Sequence, residues 1–269
     1  GALNVTHQPM QQVVVTRPAQ DAASWMRQLQ DAGFNVASLP LLELSDWMSV
    51  QAAATAMNEL LKSQAVMFVS ANAVRFLAQA LAANPAWLGH FQHGARAWCT
   101  GPGTAAALMA CGIPSSQIDQ PPSDAAHLDS EALWQVVAPQ ISAGMRVLFI
   151  RGADESGAIA GRDWLAQQLE IAQVRVQAVA AYQRVATVLT PVQKAKVAAF
   201  IDQGAVWLFS SSAALENLMR QCPEIDWSSA KAVVTHPRMA QLAEKSGWRH
   251  VSVAAPGIRS MLASIKSLA

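Results

Sequence analysis

The chain has 269 residues, of which 52% are hydrophobic and 14% are charged, so its length and composition predict two domains with proper cores. The net charge of +1 at pH 7 argues against nucleic acid or an anionic membrane surface as a partner. Because no apolar run approaches the length of a membrane span and the first residues lack a signal-peptide pattern, we expect a cytoplasmic protein.

Along the chain, short β-branched runs alternate with stretches in which apolar residues recur at helical spacing. Residues 1–12 are expected to form a loose tail. The predicted strands cover 13–16, 35–39, 65–69, 96–100, 147–151, 174–176, 206–209 and 232–235. The predicted helices cover 21–32, 72–83, 104–110, 163–169, 213–219 and 239–245. This alternation predicts an α/β fold whose parallel sheets are covered on both faces.

The sequence also contains an internal repeat. Residues 15–18 are echoed at 149–152, residues 68–72 at 208–212, and residues 100–103 at 235–238. A period of this length does not belong to a solenoid repeat. It predicts two similar lobes built from one duplicated unit, and a cleft between two lobes is a common place for a ligand.

Each repeated segment ends a strand and opens a helix with Arg, Ser, Thr or Gly. In open parallel sheets, ligands bind outside the carboxyl ends of the strands. Helix N-termini at this edge offer free backbone N–H groups and a partial positive charge, which suit a ligand rich in carboxylates. Six such ends, three in each half, could bind a large polyanion without a strongly basic protein.

Seven short motifs follow one another between residues 13 and 265. They are Val-Thr-Arg-Pro at 15–18, Leu-Pro-Leu-Leu-Glu at 39–43, Phe-Val-Ser-Ala-Asn-Ala-Val at 68–74, Gly-Pro-Gly-Thr-Ala at 101–105, Leu-Phe-Ile-Arg-Gly at 148–152, Ala-Tyr-Gln-Arg-Val at 181–185 and Phe-Ser-Ser-Ser at 209–212. None is diagnostic alone, but the ordered set resembles the uroporphyrinogen-III synthase family over essentially the whole chain.

The resemblance implies two flavodoxin-like lobes with parallel sheets, joined by a two-stranded linker, with the ligand cleft between them. The first lobe would contain residues 1–39 and 184–269, and the second would contain 44–178. The chain would cross between lobes at 39–43 and 179–184.

The resemblance also implies a cyclising hydro-lyase of haem biosynthesis that needs no cofactor or metal. Its substrate would be hydroxymethylbilane, a linear tetrapyrrole with eight carboxylates. Loss of the terminal hydroxyl as water would leave an azafulvene, and closure through a spiro intermediate would invert the last ring to give uroporphyrinogen III. The protein would act as a monomer, and a transient contact with hydroxymethylbilane synthase stays open.

Four residues, three in the second lobe and one at the second crossing, match the family motifs around the proposed chemistry. Tyr182 is the only tyrosine. Its phenol would assist departure of the substrate's terminal hydroxyl. Alternatively, Tyr182 is a structural aromatic whose own hydroxyl is hydrogen-bonded to the backbone. Thr104 would bind substrate, or it caps the helix that follows. Gly101 and Gly103 permit close backbone approach, but the Lys-Ser/Thr ending of a phosphate-binding loop is missing.

Two serine-containing turns correspond between the halves. Ser70 and Asn72 lie in one, and Ser211 and Ser212 lie in the other. These residues would bind carboxylates, or the serines are simple helix N-caps. A nucleophilic serine is not expected, because neither turn has the Gly-x-Ser-x-Gly pattern.

Basic residues occupy other strand ends. Arg17 and Arg151 stand at equivalent positions and would bind carboxylates, or they form ion pairs within the protein. His236 and Arg238 would supply further carboxylate contacts. Here the sequence departs from the family, because Met239 stands where a hydroxyl residue is usual.

Other conspicuous residues are expected to be structural. Cys99, Cys111 and Cys222 have no Cys-x-x-Cys spacing, so we expect reduced, mostly buried thiols. His90 and His93 have the spacing of a metal pair, but without a third ligand nearby a surface loop is expected. The nine tryptophans are scattered and are expected to be packing residues.

Three alternatives compete with the synthase. The first is a two-lobed binding protein that closes on a small polyanionic ligand without reacting. The second is a nucleotide-using enzyme, but the first strand ends in Thr-Arg-Pro rather than Gly-x-Gly-x-x-Gly. The third is a response-regulator-like module, which would need an acidic pair after its first strand to hold magnesium.

Overall fold

The computed structural model describes residues 10–159 and 163–268, and within them the chain forms eleven strands and eleven α-helices. The strands are β1 (Gln12–Val15), β2 (Asn35–Ser38), β3 (Leu42–Asp46), β4 (Ala65–Phe68), β5 (Arg96–Trp98), β6 (Ile118–Asp119), β7 (Arg146–Ala153), β8 (Arg175–Ala186), β9 (Val206–Phe209), β10 (Lys231–Val234) and β11 (His250–Val253). The helices are α1 (Ala19–Asp31), α2 (Val50–Lys62), α3 (Ala71–Ala80), α4 (Ala86–Gln92), α5 (Pro102–Ala110), α6 (Ser130–Val137), α7 (Trp164–Ile171), α8 (Pro191–Asp202), α9 (Ser212–Gln221), α10 (Pro237–Lys245) and α11 (Ile258–Leu268).

The predicted strands and helices correspond to elements of the structure, and the α/β class is confirmed. The structure adds elements that the sequence pattern did not identify: α2, α4, α6, α8, α11, β3, β6 and β11. The predicted tail falls mainly on residues 1–9, outside the described residues, but its last residue, Gln12, begins β1 and pairs with Asn35. None of the described helices has the length and apolar character that a membrane span requires.

The chain divides into two compact units. Of the described residues, 10–44 and 185–268 form the first unit, and 45–159 and 163–184 form the second. The sequence-based boundaries put Leu44 in the second lobe and Arg184 in the first, whereas the structure puts each in the opposite unit. The difference arises because β3 and β8 are neighbouring strands that continue through both crossings.

The sheet of the first unit has the strand order β11-β10-β9-β1-β2. Every pairing in it is parallel. Counted in the order in which the chain forms them, these strands read 2-1-3-4-5, which is the flavodoxin-like order. Each face carries its own core, as β1 illustrates: Val14 packs on one side, and Val13 and Val15 pack on the other.

The sheet of the second unit has the order β3-β8-β7-β4-β5-β6. Apart from the added edge strand β3, it repeats the first sheet, with β7 and β8 corresponding to β1 and β2, and β4, β5 and β6 to β9, β10 and β11. Its pairings among β4 to β8 are parallel. The duplication predicted from the sequence is therefore present in the strand order. The two units are circularly permuted relative to each other, because β1 and β2 come first in the chain of their unit, whereas their counterparts β7 and β8 come last.

Three tryptophans form a cluster in the core of the first unit, contrary to the expectation that the tryptophans are scattered. Trp227 and Trp248 stack with ring centroids 5.0 Å apart, and both meet Trp207 edge-on at 6.4 Å. The cluster arises because residues distant in sequence meet on one face of the sheet. Each ring contributes a large buried apolar surface to the stability of this unit.

Candidate functional site

The two sheets place their candidate residues at corresponding edges. In a flavodoxin-like sheet the strand order reverses beside the first strand, and the crevice at the carboxyl ends there is the usual ligand site. In the first unit this point lies between β1 and β9. The loops that follow these two strands contain Arg17 and Ser211, respectively. In the second unit it lies between β7 and β4, and Ser70 lies in the loop that follows β4.

Ser70 and Tyr182 are brought together in the second unit. Their hydroxyl oxygens lie 3.5 Å apart, although the residues are separated by 112 positions in sequence. Ser70 also accepts a hydrogen bond of 3.1 Å from the backbone N–H of Ala73, so it is the N-cap of α3. The capping alternative is thus correct for Ser70, and its contact with Tyr182 is an additional one.

The ring of Tyr182 packs against residues of its own unit. Only 2% of the residue is exposed. Its ring centroid lies 5.3 Å from that of Phe76, and the Arg184 guanidinium carbon lies 5.7 Å from it. Gly152 faces the ring so closely that a Cβ atom there would overlap it. Phe76 and Gly152 were given no individual role from the sequence.

A cavity of about 170 Å³ lies beside this cluster in the second unit. Phe76, which contacts Tyr182, also lines this cavity. Its other lining residues are Asp46, Trp47, Met48, Gln79, Ala80 and Ala181. The cavity combines aromatic and aliphatic walls with one carboxylate, a lining that suits an apolar ring bearing an N–H group.

The glycine-rich turn forms the N-terminus of α5. Gly101 is the N-cap and has no side chain with which to cap, and Pro102 occupies the first helical position. The helix thus begins before Thr104, and the interpretation of Thr104 as its N-cap is wrong. Thr104 is the third helical residue and is half-buried. Without a capping side chain, the backbone N–H groups of the first turn can bind an anion.

Arg151 and Asn72 are engaged within the second unit. Arg151 is buried, and its Nη2 lies 2.7 Å from Oδ2 of Asp163. Asp163 also caps α7 by accepting a hydrogen bond from Ala166. The ion-pair alternative therefore describes Arg151. Asn72 is buried near the start of α3, where its Oδ1 accepts a hydrogen bond from Arg75.

In the first unit, Arg17 and the serine turn lie side by side. The Arg17 Nη1 donates to the Ser210 Oγ at 3.5 Å, and its guanidinium lies 4.6 Å from the Trp25 ring centroid. Ser211 caps α9 through the Ala214 N–H, as Ser70 caps α3. Ser212 is the first residue of α9 and is exposed. In the structure, Ser70 therefore corresponds to Ser211. The repeat of 68–72 at 208–212 pairs Ser70 with Ser210 instead, one residue earlier.

The turn at His236 corresponds to the glycine-rich turn. His236 is the N-cap of α10, and its Nδ1 accepts a 3.0 Å hydrogen bond from the backbone N–H of Arg238. This acceptor role places the proton of the neutral ring on Nε2. His236 and Arg238 are exposed, whereas Met239 is buried in the core of this unit. Met239 therefore acts as a packing residue.

Other candidate features do not form a reactive centre. Among the described residues no group of three or more His, Cys, Asp and Glu side chains could hold a metal ion. His90 lies in α4 rather than in the expected loop, and its Nε2 is 2.7 Å from the Ser63 carbonyl oxygen. Cys99 and Cys222 are buried free thiols, and Cys111 is half-buried. Burial raises the pKa of Cys99 to about 11.

A more voluminous depression, of about 730 Å³, lies at the other edge of the second sheet. It is lined by Arg96, which begins β5, and by Met145, which precedes β7. These positions mark the amino ends of the strands, opposite the edge at which ligands bind in such sheets. Arg96 is also held by Asp119 in a bidentate ion pair. The depression with the larger volume is therefore not the candidate ligand site. The candidate site lies at the carboxyl ends of the strands.

Comparison with known proteins identifies the family. The family model described as uroporphyrinogen-III synthase HemD matches residues 23–263. The fold is similar to the crystal structure of uroporphyrinogen-III synthetase from Helicobacter pylori, with a TM-score of 0.60 and 16% identity over 97% of this chain and 100% of that chain. It is also similar to a uroporphyrinogen III synthase mutant from Thermus thermophilus, with a TM-score of 0.50 and 15% identity over 96% and 98% of the two chains.

Proposed function

Because the chain belongs to the uroporphyrinogen-III synthase family, an enzyme family of haem biosynthesis, we propose that it dehydrates and cyclises hydroxymethylbilane to uroporphyrinogen III. In reaction class it would be a cyclising hydro-lyase. The family match over 23–263 carries this proposal. The second candidate from the sequence, a binding protein without turnover, has no observation in its favour.

The strand-end loops support binding of a polycarboxylate. The uncapped first turn of α5 offers backbone N–H groups with the positive end of the helix dipole. In the other unit, the exposed residues His236 and Arg238 supply donors at the matching turn. Charge-assisted hydrogen bonds of this kind are about twice as strong as neutral ones. We assign carboxylate binding to Gly101–Thr104 in the second unit and, in the first unit, to Ser211–Ser212, to His236–Arg238 and to Arg17, which contacts Ser210.

Tyr182 is the group that we assign to the leaving hydroxyl. Its phenol would donate a proton to the terminal hydroxyl oxygen while the electron pair of the pyrrole nitrogen expels that oxygen, so that the C–O bond breaks and water leaves. The pyrrole N–H proton would then pass to the phenolate, which gives the neutral azafulvene and restores the phenol. Ser70, whose hydroxyl lies 3.5 Å from that of Tyr182, would orient the phenol. General-acid assistance of this kind contributes about 10²–10⁴-fold.

Ring inversion depends on positioning. The last pyrrole would attack the azafulvene through its substituted carbon, and the spiro intermediate would fragment and reclose with the ring turned over. Holding the two ends of a flexible chain in contact can supply about 7–11 kcal/mol of the barrier. Binding many carboxylates to fixed helix termini serves this purpose. The monomeric state, the cytoplasmic location and a transient contact with hydroxymethylbilane synthase stay predictions.

An isomer assay tests the proposed function. Hydroxymethylbilane is generated enzymatically in the assay, with and without this protein, and the oxidised uroporphyrins are separated by isomer type. We expect type III to replace the type I background. Type I formed at the spontaneous rate in the presence of folded protein would reject the proposal and leave a non-enzymatic binder.

A further inference from the structure

The pairing of β7 with β8 is irregular beside Tyr182. Arg151 pairs with Ala180, but the next residue, Gly152, pairs with Tyr182, so Ala181 is an extra residue in β8. Because successive side chains of a strand alternate between faces, one inserted residue moves every later side chain to the other face. The bulge therefore places Tyr182 on the face of Gly152, whereas a regular strand would place it on the face of Arg151.

Gly152 leaves the space that this placement requires. A Cβ atom on Gly152 would overlap the Cε2 and Cζ atoms of Tyr182 and would lie 2.8 Å from its hydroxyl oxygen. Gly152 is not among the described glycines with positive φ, so its backbone conformation is one that alanine can adopt. The requirement for glycine at this position therefore comes from the tyrosine ring and not from the backbone.

We propose that Gly152 is a positioning residue that, together with the bulge at Ala181, holds the Tyr182 hydroxyl beside Ser70. This inference rests on the proposed function, in which Tyr182 assists the leaving hydroxyl. The ring cannot absorb a methyl group in place, because Tyr182 is 2% exposed and Phe76 already packs against it at 5.3 Å. A methyl at position 152 displaces the phenol from the Ser70 hydroxyl.

The kinetic test compares Gly152→Ala in two backgrounds. In the native background we expect kcat for type III formation to fall by about tenfold or more, since a misplacement near 1 Å can cost about 10²-fold, with KM changed less than twofold. In a Tyr182→Phe background the same substitution should change kcat less than twofold, because no hydroxyl is left to displace. An equal loss in both backgrounds would overturn the proposal and indicate a general structural effect.

Gly89→Ala is the matched control. Gly89 lies in α4, and a Cβ atom there would have no neighbour within 4 Å. We expect this variant to keep kcat and the isomer ratio of the native protein. A fall in kcat equal to that of Gly152→Ala would contradict a specific role for Gly152.

A second measurement is independent of activity. Tyr182 is the only tyrosine, so 3-fluorotyrosine labelling gives one assignable ¹⁹F resonance. We expect Gly152→Ala to shift this resonance and Gly89→Ala to leave it unchanged; an unchanged resonance in Gly152→Ala would overturn the proposal. If the native protein forms no type III isomer, the proposed function fails, whereas native activity with an unaffected Gly152→Ala variant rejects only the inference about Gly152.

Discussion

Asn217 donates a hydrogen bond of 2.8 Å from its Nδ2 to the carbonyl oxygen of Thr187, and the same Nδ2 donates at 2.9 Å to the carbonyl oxygen of Leu41. Thr187 in turn donates its N–H to Leu41. Asn217 is only 2% exposed, so both bonds are shielded from water. One side chain of α9 thereby joins the two chain segments that lead into and out of the first unit.

Asn217→Ala should lower the free energy of unfolding by about 2 kcal/mol, since each buried hydrogen bond contributes about 1 kcal/mol. Urea denaturation followed by tryptophan fluorescence measures the change. Glu216→Ala, at the neighbouring exposed position of the same helix, is the control and should stay within about 0.5 kcal/mol of the native value. Equal stability of the two variants would contradict the importance of this contact.

Two substitutions of Ser211 should separate its role as the N-cap of α9 from its proposed role in substrate binding. Ser211→Ala removes the cap of α9 and should cost about 1 kcal/mol of stability. Ser211→Asp retains a capping oxygen, but its charge repels substrate carboxylates, so KM should rise about tenfold without loss of stability. Melting temperatures and steady-state kinetics measure the two effects. Ser49→Asp, at the serine cap of α2, is the control and should leave KM unchanged.

The ion pair between Arg151 and Asp163 should contribute to stability beyond the cap that Asp163 provides. Asp163→Asn keeps a capping oxygen but leaves a buried arginine unpaired, and should cost about 1–2 kcal/mol, because Asp163 is partly exposed to solvent. Asp163→Ala also loses the cap and should cost about 1 kcal/mol more. Denaturant titration measures both losses.

Two comparisons make the ion-pair prediction specific. Asp129→Asn, at the cap of α6, should be nearly neutral. Arg151→Met combined with Asp163→Asn should recover part of the stability, because it removes the unpaired buried charge. If Asp163→Asn were as stable as the native chain, the ion pair would contribute nothing measurable.

Tyr182→Phe should lower kcat for type III formation by about 10²-fold without abolishing activity, because it removes the proton donor and leaves substrate positioning intact. Phenylalanine preserves the ring contact with Phe76, so the melting temperature should change little. The isomer assay under saturating substrate provides the rate. An unchanged rate and isomer ratio would remove Tyr182 from the mechanism.

The thiol of Cys99 should make stability fall at alkaline pH. Burial raises its pKa from the ordinary 9.0 to about 11, so the folded protein holds this proton more tightly than the unfolded chain. The corresponding stabilisation is complete below pH 9 and is lost as the pH rises towards 11. Urea denaturation at pH 8 and pH 10.5 should show this fall, and Cys99→Ala should show a smaller one.

Alkylation of the three cysteines should show the same burial of the Cys99 thiol. At pH 8 the folded protein should react with iodoacetamide first at half-buried Cys111, while Cys99 and Cys222 stay protected. All three should react in urea. Rapid modification of Cys99 in the folded chain would contradict its raised pKa.

Local patterns in the sequence were sufficient for the α/β class and for the duplication. The unit β4–α3 and its counterpart β9–α9 each consist of a short apolar strand, a serine cap and an amphipathic helix, and all of these are signals between near neighbours. The ordered motifs then carried the family. Local signals also existed for missed elements: α8 begins with a capping box between Thr190 and Gln193.

Other elements left little trace in the sequence. The strand β6 contains two residues and depends on its pairing with β5. The start of α5 at Pro102 had one local signal, because proline is favoured at the first helical position, but Gly101 has no side chain that would mark it as the N-cap. Arg151 offered two interpretations of equal standing, and only the approach of Asp163 selected the ion pair.

The sequence by itself therefore determined the class of fold, the repeat and the family, because periodicity, caps and motif order are properties of neighbouring residues. The tertiary structure alone decided the 2-1-3-4-5 strand order, the bulge at Ala181 and the meeting of Tyr182 with Ser70 and Gly152. These features depend on which distant strands pair and in which register. A shift of one residue between β7 and β8 would turn Tyr182 to the other face, and no local pattern fixes that register.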